Sequence, residues 1–351
     1  MAVDKNGSKM ETRKSFEKLK ASSSPRHVTV FGELLLRLDA VENNRFVQAE
    51  KFIARYTGAE ANAAVALSQL GLLTSVVSRV PDQELGQACI NTLRRYGVDT
   101  RFVLRGGDRL GILYVENGIS QRPSRIIYDR SHSSFSQLKP SQFAWPEILI
   151  GSNWLHLSGT TPALGAGPRA AQLAAIRSAQ KLGVKVSYDC NYRSTLWSVA
   201  AARRVLPGLI EGIDLFLGTP HDSKILFGMD GDPASRATAL QKKFGIERVA
   251  FTLREMTNFS VNRLECLVAG PKGVHESRAY DIHILDRIGA GDAFAAGMIH
   301  GVLGGRPDQG AIEFAAAACC LKQSIPGDFG LFTVGEIEEL ARTGESGRIR
   351  R

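Results

Sequence analysis

Apolar positions along this chain fall into two kinds of run. Short β-branched stretches at 27–31, 74–80, 153–157, 185–188, 214–217, 249–253 and 280–285 read as strands. Between them lie longer stretches with helical spacing, among them 84–96, 168–181, 309–323 and 334–341. In three places a helical stretch meets a glycine and passes straight into a β-branched strand. These are Arg95-Tyr96-Gly97-Val98, Lys181-Leu182-Gly183-Val184 and Lys243-Phe244-Gly245-Ile246. A glycine in left-handed backbone ends a helix without a Cβ clash. Repeated helix–glycine–strand units predict an α/β fold: a mostly parallel sheet with helices on both faces.

One part of the chain breaks this rhythm. Residues 34–39 continue the first strand, and 40–56 leave room for another. The runs 110–116 and 124–130 read as two strands joined through Asn117-Gly118, a good opening for a hairpin. No helix lies between them. The prediction is a small β-sheet lid from about 34–56 and 108–132. A two-stranded flap is marginal alone, so the lid is expected to pair with a second subunit as a homo-oligomer, with Leu113 and Val115 on its exposed face.

Charge changes the picture less than its total suggests. The chain carries a net charge of +9, but residues 1–26 hold +4 of it and 342–351 hold +3. The body between is left at about +2, too little for a basic nucleic-acid face. Residues 1–26 are predicted to be a disordered basic tail and 342–351 a basic C-terminal tail, flanking one domain over 27–341. No apolar run approaches the about 20 residues of a membrane span, and the N-terminus has no apolar signal core. Cysteines at 89, 190, 266, 319 and 320 are odd in number and form no C-x-x-C, which fits a reducing cytoplasm.

The chemistry concentrates in Asp286-Arg287-Ile288-Gly289-Ala290-Gly291-Asp292-Ala293-Phe294. Gly289, Ala290 and Gly291 stand between a strand-like and a helix-like run. Small residues let backbone N–H groups crowd around an anion, and a following helix points its positive end at the same spot. Asp292 beside such an anion hole makes sense if a hydroxyl loses its proton there while phosphate is transferred to it. The plainer alternative is a glycine-rich turn with Asp292 as a helix N-cap.

Together with Thr57-Gly58-Ala59-Glu60-Ala61-Asn62, Arg122 through Arg130, Asp189-x-Asn191-x-Arg193 and Ile325-Pro326-Gly327-Asp328, this loop resembles the ribokinase-like (PfkB) carbohydrate kinases. Within them it is similar to the 2-keto-3-deoxygluconate kinases, and the similarity spans about 28–341. The resemblance implies a three-layer α/β/α domain and ATP-dependent phosphorylation of 2-keto-3-deoxygluconate to its 6-phosphate, with Mg2+ as the companion of ATP. It gives Asp292 the role of base, and Gly289, Ala290 and Gly291 that of phosphate donors. Gly32, Gly58, Ala59 and Asn62 fall to the sugar hydroxyls, Tyr128 to the sugar wall, and Arg130 and Arg193 to its carboxylate. Asp189, Asn191, Thr252, Arg254 and Arg287 fall on the nucleotide side, and Asp222 holds the metal through water. Thr57 stands where the family signature has its first glycine. Thr219-Pro220-His221-Asp222 stands where an Asn-x-x-Glu motif is usual, keeping the acid without the asparagine. Two alternatives stay open: a kinase for a neutral sugar such as fructose, and a weakened kinase fold used as a scaffold.

Overall fold

β1 (His27–Phe31) runs through the middle of a ten-stranded sheet, with Val28, Val30 and Phe31 fully buried. The structure is a computed structural model and describes residues 26–256 and 261–344. The predicted tails therefore lie outside the described residues except for Arg26 and 342–344.

On one side of β1 lie β4 (Leu73–Val80) and β5 (Asp99–Arg105). On the other lie β8 (Trp154–Ser158), β9 (Lys185–Asp189), β10 (Leu215–Gly218) and β11 (Arg248–Met256), all parallel. The parallel order ends there. β12 (Val261–Gly270) runs antiparallel to β11 and carries β13 (Gly273–Glu276) and β14 (Tyr280–His283). The sequence reading placed no strand at 261–270. Its charged Arg263 and Glu265 interrupt the apolar signal over its first half, while Leu264, Cys266 and Val268 face one core and Leu267 and Ala269 the other.

Residues 34–39 do not continue β1, as the sequence suggested. The chain leaves the sheet at Gly32–Leu34, and β2 (Leu35–Ala40) starts a second sheet with β3 (Phe52–Thr57), β6 (Gly111–Glu116) and β7 (Arg125–Asp129), in the order β3-β2-β6-β7. This smaller sheet is built from the stretches that break the βα rhythm. Its expected open face is corrected: Leu113 and Val115 are buried. Strand alternation puts them on the same face as Tyr128 and Ile126, their partners on β7.

Two cores sandwich the large sheet. The helices Ala59–Gln69, Ala290–Leu303 and Asp308–Lys322 pack on one face and Ala166–Leu182 and Pro233–Phe244 on the other. Gly97, Gly183 and Gly245 are all left-handed, with φ of 77°, 70° and 64°. The alanine-rich sequences serve close helix packing: a Cβ on Gly297 would come within 2.6 Å of Ala315 Cα. No described helix is long and apolar enough to cross a membrane.

Candidate active site

Strand order reverses at β1, which has β4 on one side and β8 on the other. Open α/β sheets leave a crevice outside the strand ends at such a point. A cavity of about 930 Å³ lies there, walled on the lid side by Leu35, Leu113, Ile126, Tyr128 and Arg130.

The anion loop forms one side of it. Gly289 caps the helix Ala290–Leu303 with φ 86°, and a Cβ there would sit 1.9 Å from the Asp328 carbonyl oxygen, so only glycine fits. Gly289, Gly291 and Asp292 line the cavity. Ala290 departs from its expected place: its side chain is in the core, and its N–H turns back to the Arg287 carbonyl at 3.3 Å. Asp292 lies inside the first helical turn rather than at the cap, which removes the N-cap alternative. Its Oδ2 accepts from Asn62 Nδ2 at 2.7 Å. Desolvation raises its pKa well above the carboxylate range; Asn62 opposes this, and Asp189, Asp328 and Glu60 add to it.

Cations underpin the loop from beneath. Lys322, fully buried, donates to the carbonyl oxygens of Asp286 and Ile325 at 3.2 and 3.1 Å. Asp286 shapes the turn by accepting from the N–H groups of Ile288 and Gly327 at 3.1 and 3.0 Å. Arg37, on β2 and 1% exposed, donates to Asp39 at 2.8 and 2.6 Å, to Asp286 at 3.0 Å, and to Asp328. The root of the lid is thus ion-paired to Asp286 at the start of this loop and to Asp328 of the segment that packs against Gly289. Sequence reasoning passed over Arg37, though a lone charge within Leu34-Leu35-Leu36-Arg37-Leu38 is a legible signal of a buried partner.

Toward the middle of the cavity stand Gly58, Ala59, Glu60 and Asn62 from the start of the helix Ala59–Gln69. Gly32 is set behind them: a Cβ on it would run into the Glu60 carboxylate. Burial pushes Glu60 up to about 7. Glu33, another residue missed from sequence, pairs with Arg130 at 2.6 Å and accepts from Ser133. Arg130 therefore reaches the cavity with its charge already partnered. Asp189, Asn191 and Arg193 line the cavity at the end of β9. Asn191 is held at φ 36°, a left-handed backbone that asparagine tolerates better than most residues. Burial pushes Asp189 up to about 6, against the pull of Arg193.

The far end carries Asp222, Thr252, Arg254 and Arg287, joined by Arg263 and Glu265 from the unforeseen β12. Thr219 and Asp222 form a capping box on the helix Pro220–Phe227, with Asp222 Oδ2 accepting from Thr219 N and Oγ1 at 3.1 and 2.7 Å. Arg287 has its pKa lowered by burial and by Arg254, so two cations crowd one wall.

A carboxylate thus stands in the first turn of a helix whose start lines a cavity that the smaller sheet borders. The chain belongs to the pfkB family of carbohydrate kinases, whose family model matches residues 25–327. It is 31% identical to a protein of Haloferax volcanii named 2-dehydro-3-deoxygalactonokinase, over 91% of this chain and 98% of that one. It is 29% identical to the 2-dehydro-3-deoxygluconokinase of Thermoproteus tenax, over 90% and 94%. Among solved structures, the 2-dehydro-3-deoxygluconokinase of Thermotoga maritima superposes with a TM-score of 0.88 at 41% identity, covering 90% of this chain and 99% of that one.

Proposed function

We propose that this kinase transfers the γ-phosphoryl group of ATP to the 6-hydroxyl of a 2-keto-3-deoxy sugar acid, with 2-keto-3-deoxygluconate as the first substrate to test. The observation that carries this is Arg193. It enters the cavity from the end of β9, exposed, with Nη1 donating to the Tyr192 carbonyl at 3.1 Å and the rest of its guanidinium facing the electrostatic field of Asp189 and Asp222. A guanidinium in that position offers a planar fork to a carboxylate. The names of the relatives, a galactono- and two gluconokinases of the same acid type, support the same class.

In this reading the sugar lies under the lid against Tyr128, Gly58, Ala59 and Asn62. Asp292 takes the proton of the acceptor hydroxyl, whose oxygen attacks the γ-phosphorus as the bond to the ADP oxygen breaks. A carboxylate with a raised pKa is a stronger base near neutrality. N–H groups at Gly289 and Gly291 meet the moving phosphoryl group, where catalysis is mostly electrostatic. Arg254 and Arg287 face the ATP phosphates, and a polyanion relieves their mutual repulsion. Thr252, Asp189 and Asn191 complete the nucleotide side.

Magnesium neutralises phosphate charge when it arrives with ATP. The described residues hold no cluster of three or more His, Cys, Asp or Glu suited to a metal, and magnesium commonly keeps several of its waters beside phosphate oxygens. Asp222 is the residue that would hold such a water. Two further parts of the reading are the chain's setting and assembly. Five free thiols support a reducing cytoplasm. Phe52 and Ile127, 39% and 48% exposed on the lid, support pairing with a second copy.

The Arg130–Glu33 pair is what favours a neutral sugar instead, since it neutralises one of the two expected carboxylate ligands. A coupled ADP-release assay over sugar acids and neutral sugars decides. Turnover of the acid well above fructose, lost by orders of magnitude in Asp292→Asn with unchanged melting, is expected. Equal turnover of fructose refutes the sugar-acid reading, and near-normal kcat in Asp292→Asn refutes the base.

A further inference from the structure

Lys322 ends the helix Asp308–Lys322, and its side chain is out of reach of bulk water. A lysine in a last helical turn is ordinary, because a cation complements the negative end of the helix. Such a lysine usually keeps its ammonium in water, and burying it is unfavourable unless partners offset the lost hydration. Here Nζ leaves its own helix and donates to two main-chain carbonyls, Asp286 O at 3.2 Å and Ile325 O at 3.1 Å. The first begins the anion loop. The second begins the segment that carries Asp328.

Gly289 lies between this cation and the cavity. Gly289 lines the cavity, and a Cβ built on it would come within 3.1 Å of Lys322 Cε. Backbone contacts lock the same parts together. The N–H groups of Leu285 and Asp286 donate to the Gln323 carbonyl at 2.9 and 3.1 Å, and the Ile325 N–H donates to the Lys322 carbonyl at 3.0 Å. Burial lowers the pKa of Lys322; Asp286 and Asp328 oppose this, Arg37 adds to it, and Asp292 opposes it. Carboxylates outnumber cations among these neighbours, which favours the charged ammonium.

Carbonyl oxygens drawn to the ammonium are drawn away from the cavity side of Gly289. Phosphate arriving there meets N–H groups rather than carbonyl oxygens. A positive charge one residue behind those N–H groups also favours the negative charge on a phosphoryl group in transfer. We propose that Lys322 is a positioning residue for phosphoryl transfer: its buried ammonium gathers the carbonyls of Asp286 and Ile325 behind the anion loop, keeps the N–H face of the loop toward the cavity and places a positive charge at its back. The inference rests on the reading that the phosphoryl group passes over Gly289 and Gly291. A merely structural lysine would do no more than balance Asp286 and Asp328.

The test compares Lys322→Met, which fills the space without charge, with Lys322→Ala, which leaves room for a free cation. Asp292→Asn is the reference. Melting temperature and steady-state rates with MgATP and 2-keto-3-deoxygluconate are measured for each, well below the lowest melting point. Lys322→Met should lower kcat by about 100-fold, the lower end of what one oxyanion-hole donor is worth. KM for the sugar acid should stay within about threefold, because the ammonium sits behind the phosphate loop and not beside the sugar. Ammonium chloride should raise the rate of Lys322→Ala about tenfold or more over sodium chloride of equal ionic strength. It should do nothing comparable for Lys322→Met or wild type. Lower melting with kcat within threefold of wild type in folded Lys322→Met, or no response of Lys322→Ala to ammonium, overturns the inference. If neither variant folds, Lys322→Arg decides. It keeps the charge and should retain kcat within about tenfold, and a loss as deep as that of Asp292→Asn overturns the inference. If wild type transfers no phosphate from ATP to the sugar acid, the function reading fails first, independently of Lys322.

Discussion

Replacing Arg37 with methionine isolates the buried charge cluster beneath the anion loop. Arg37 is 1% exposed and faces Asp39, Asp286 and Asp328, whose side chains are 7%, 12% and 3% exposed. Burial works against its charge, and the three carboxylates more than offset that, Asp328 most. Methionine of similar length leaves them facing one another, with Arg55, 39% exposed and 3.2 Å from Asp39, and the buried Lys322, which attracts Asp286 and Asp328, as the remaining nearby cations. Removing one partner from a buried ionic network costs about 3–5 kcal/mol. With a urea slope of about 3 kcal/mol per molar for a domain this large, the midpoint should fall by about 1–1.7 M. The loss should depend on pH. Burial already raises the pKa of Asp328. Without Arg37 it rises further, so the folded variant binds protons that the unfolded chain does not. Its stability therefore grows as pH falls, and the gap to wild type should be smaller at about pH 5 than at about pH 8. Arg37→Met combined with Asp328→Asn should recover part of the loss. A deficit under about 1 kcal/mol, or one equal at both pH values, would refute the view that these carboxylates depend on Arg37.

Arg193→Ala should raise KM for the sugar acid by about tenfold or more and leave KM for ATP alone, while Arg193→Lys should recover only part, because an ammonium lacks the bidentate fork. Steady-state kinetics with each substrate varied checks both. Burial lifts Glu60 from its ordinary value to about 7, so its proton stabilises the folded state at low pH and that contribution fades as pH rises through about 7. Glu60→Gln should therefore flatten the stability–pH profile, by up to about 3 kcal/mol between acid and alkaline limits, as measured by urea unfolding; an unchanged profile would place the titration elsewhere. Phe52→Ser with Ile127→Ser should leave melting intact and shift light scattering toward monomer; an unchanged mass in the double variant would move any assembly off this face of the lid.

Periodicity and glycine placement were enough to announce an α/β sheet with helices on both faces, because helix ends and buried parallel strands are local events. Gly289 and Asp292 were legible for the same reason: the turn, the helix start and the carboxylate lie within a few residues. The β lid was legible as a break in that rhythm. The rest depended on contacts across long stretches of chain. That β2 leaves the main sheet is decided by pairing with β6, about 75 residues on, which no window of sequence contains. β12 is stabilised by its antiparallel neighbours and exposes charged residues on one face, so its local pattern is weak. Ala290 belongs to the same motif as its neighbours, yet its N–H turns inward, because the first helical turn sends successive groups in different directions. Arg130 was readable as a cation near the cavity, but its pairing with Glu33, 97 residues earlier, was not. Thr57 could be seen only as a departure from a pattern. What it touches, Asp328 and Asn62, follows from a fold that brings the lid root, a helix start and a distant loop to one point.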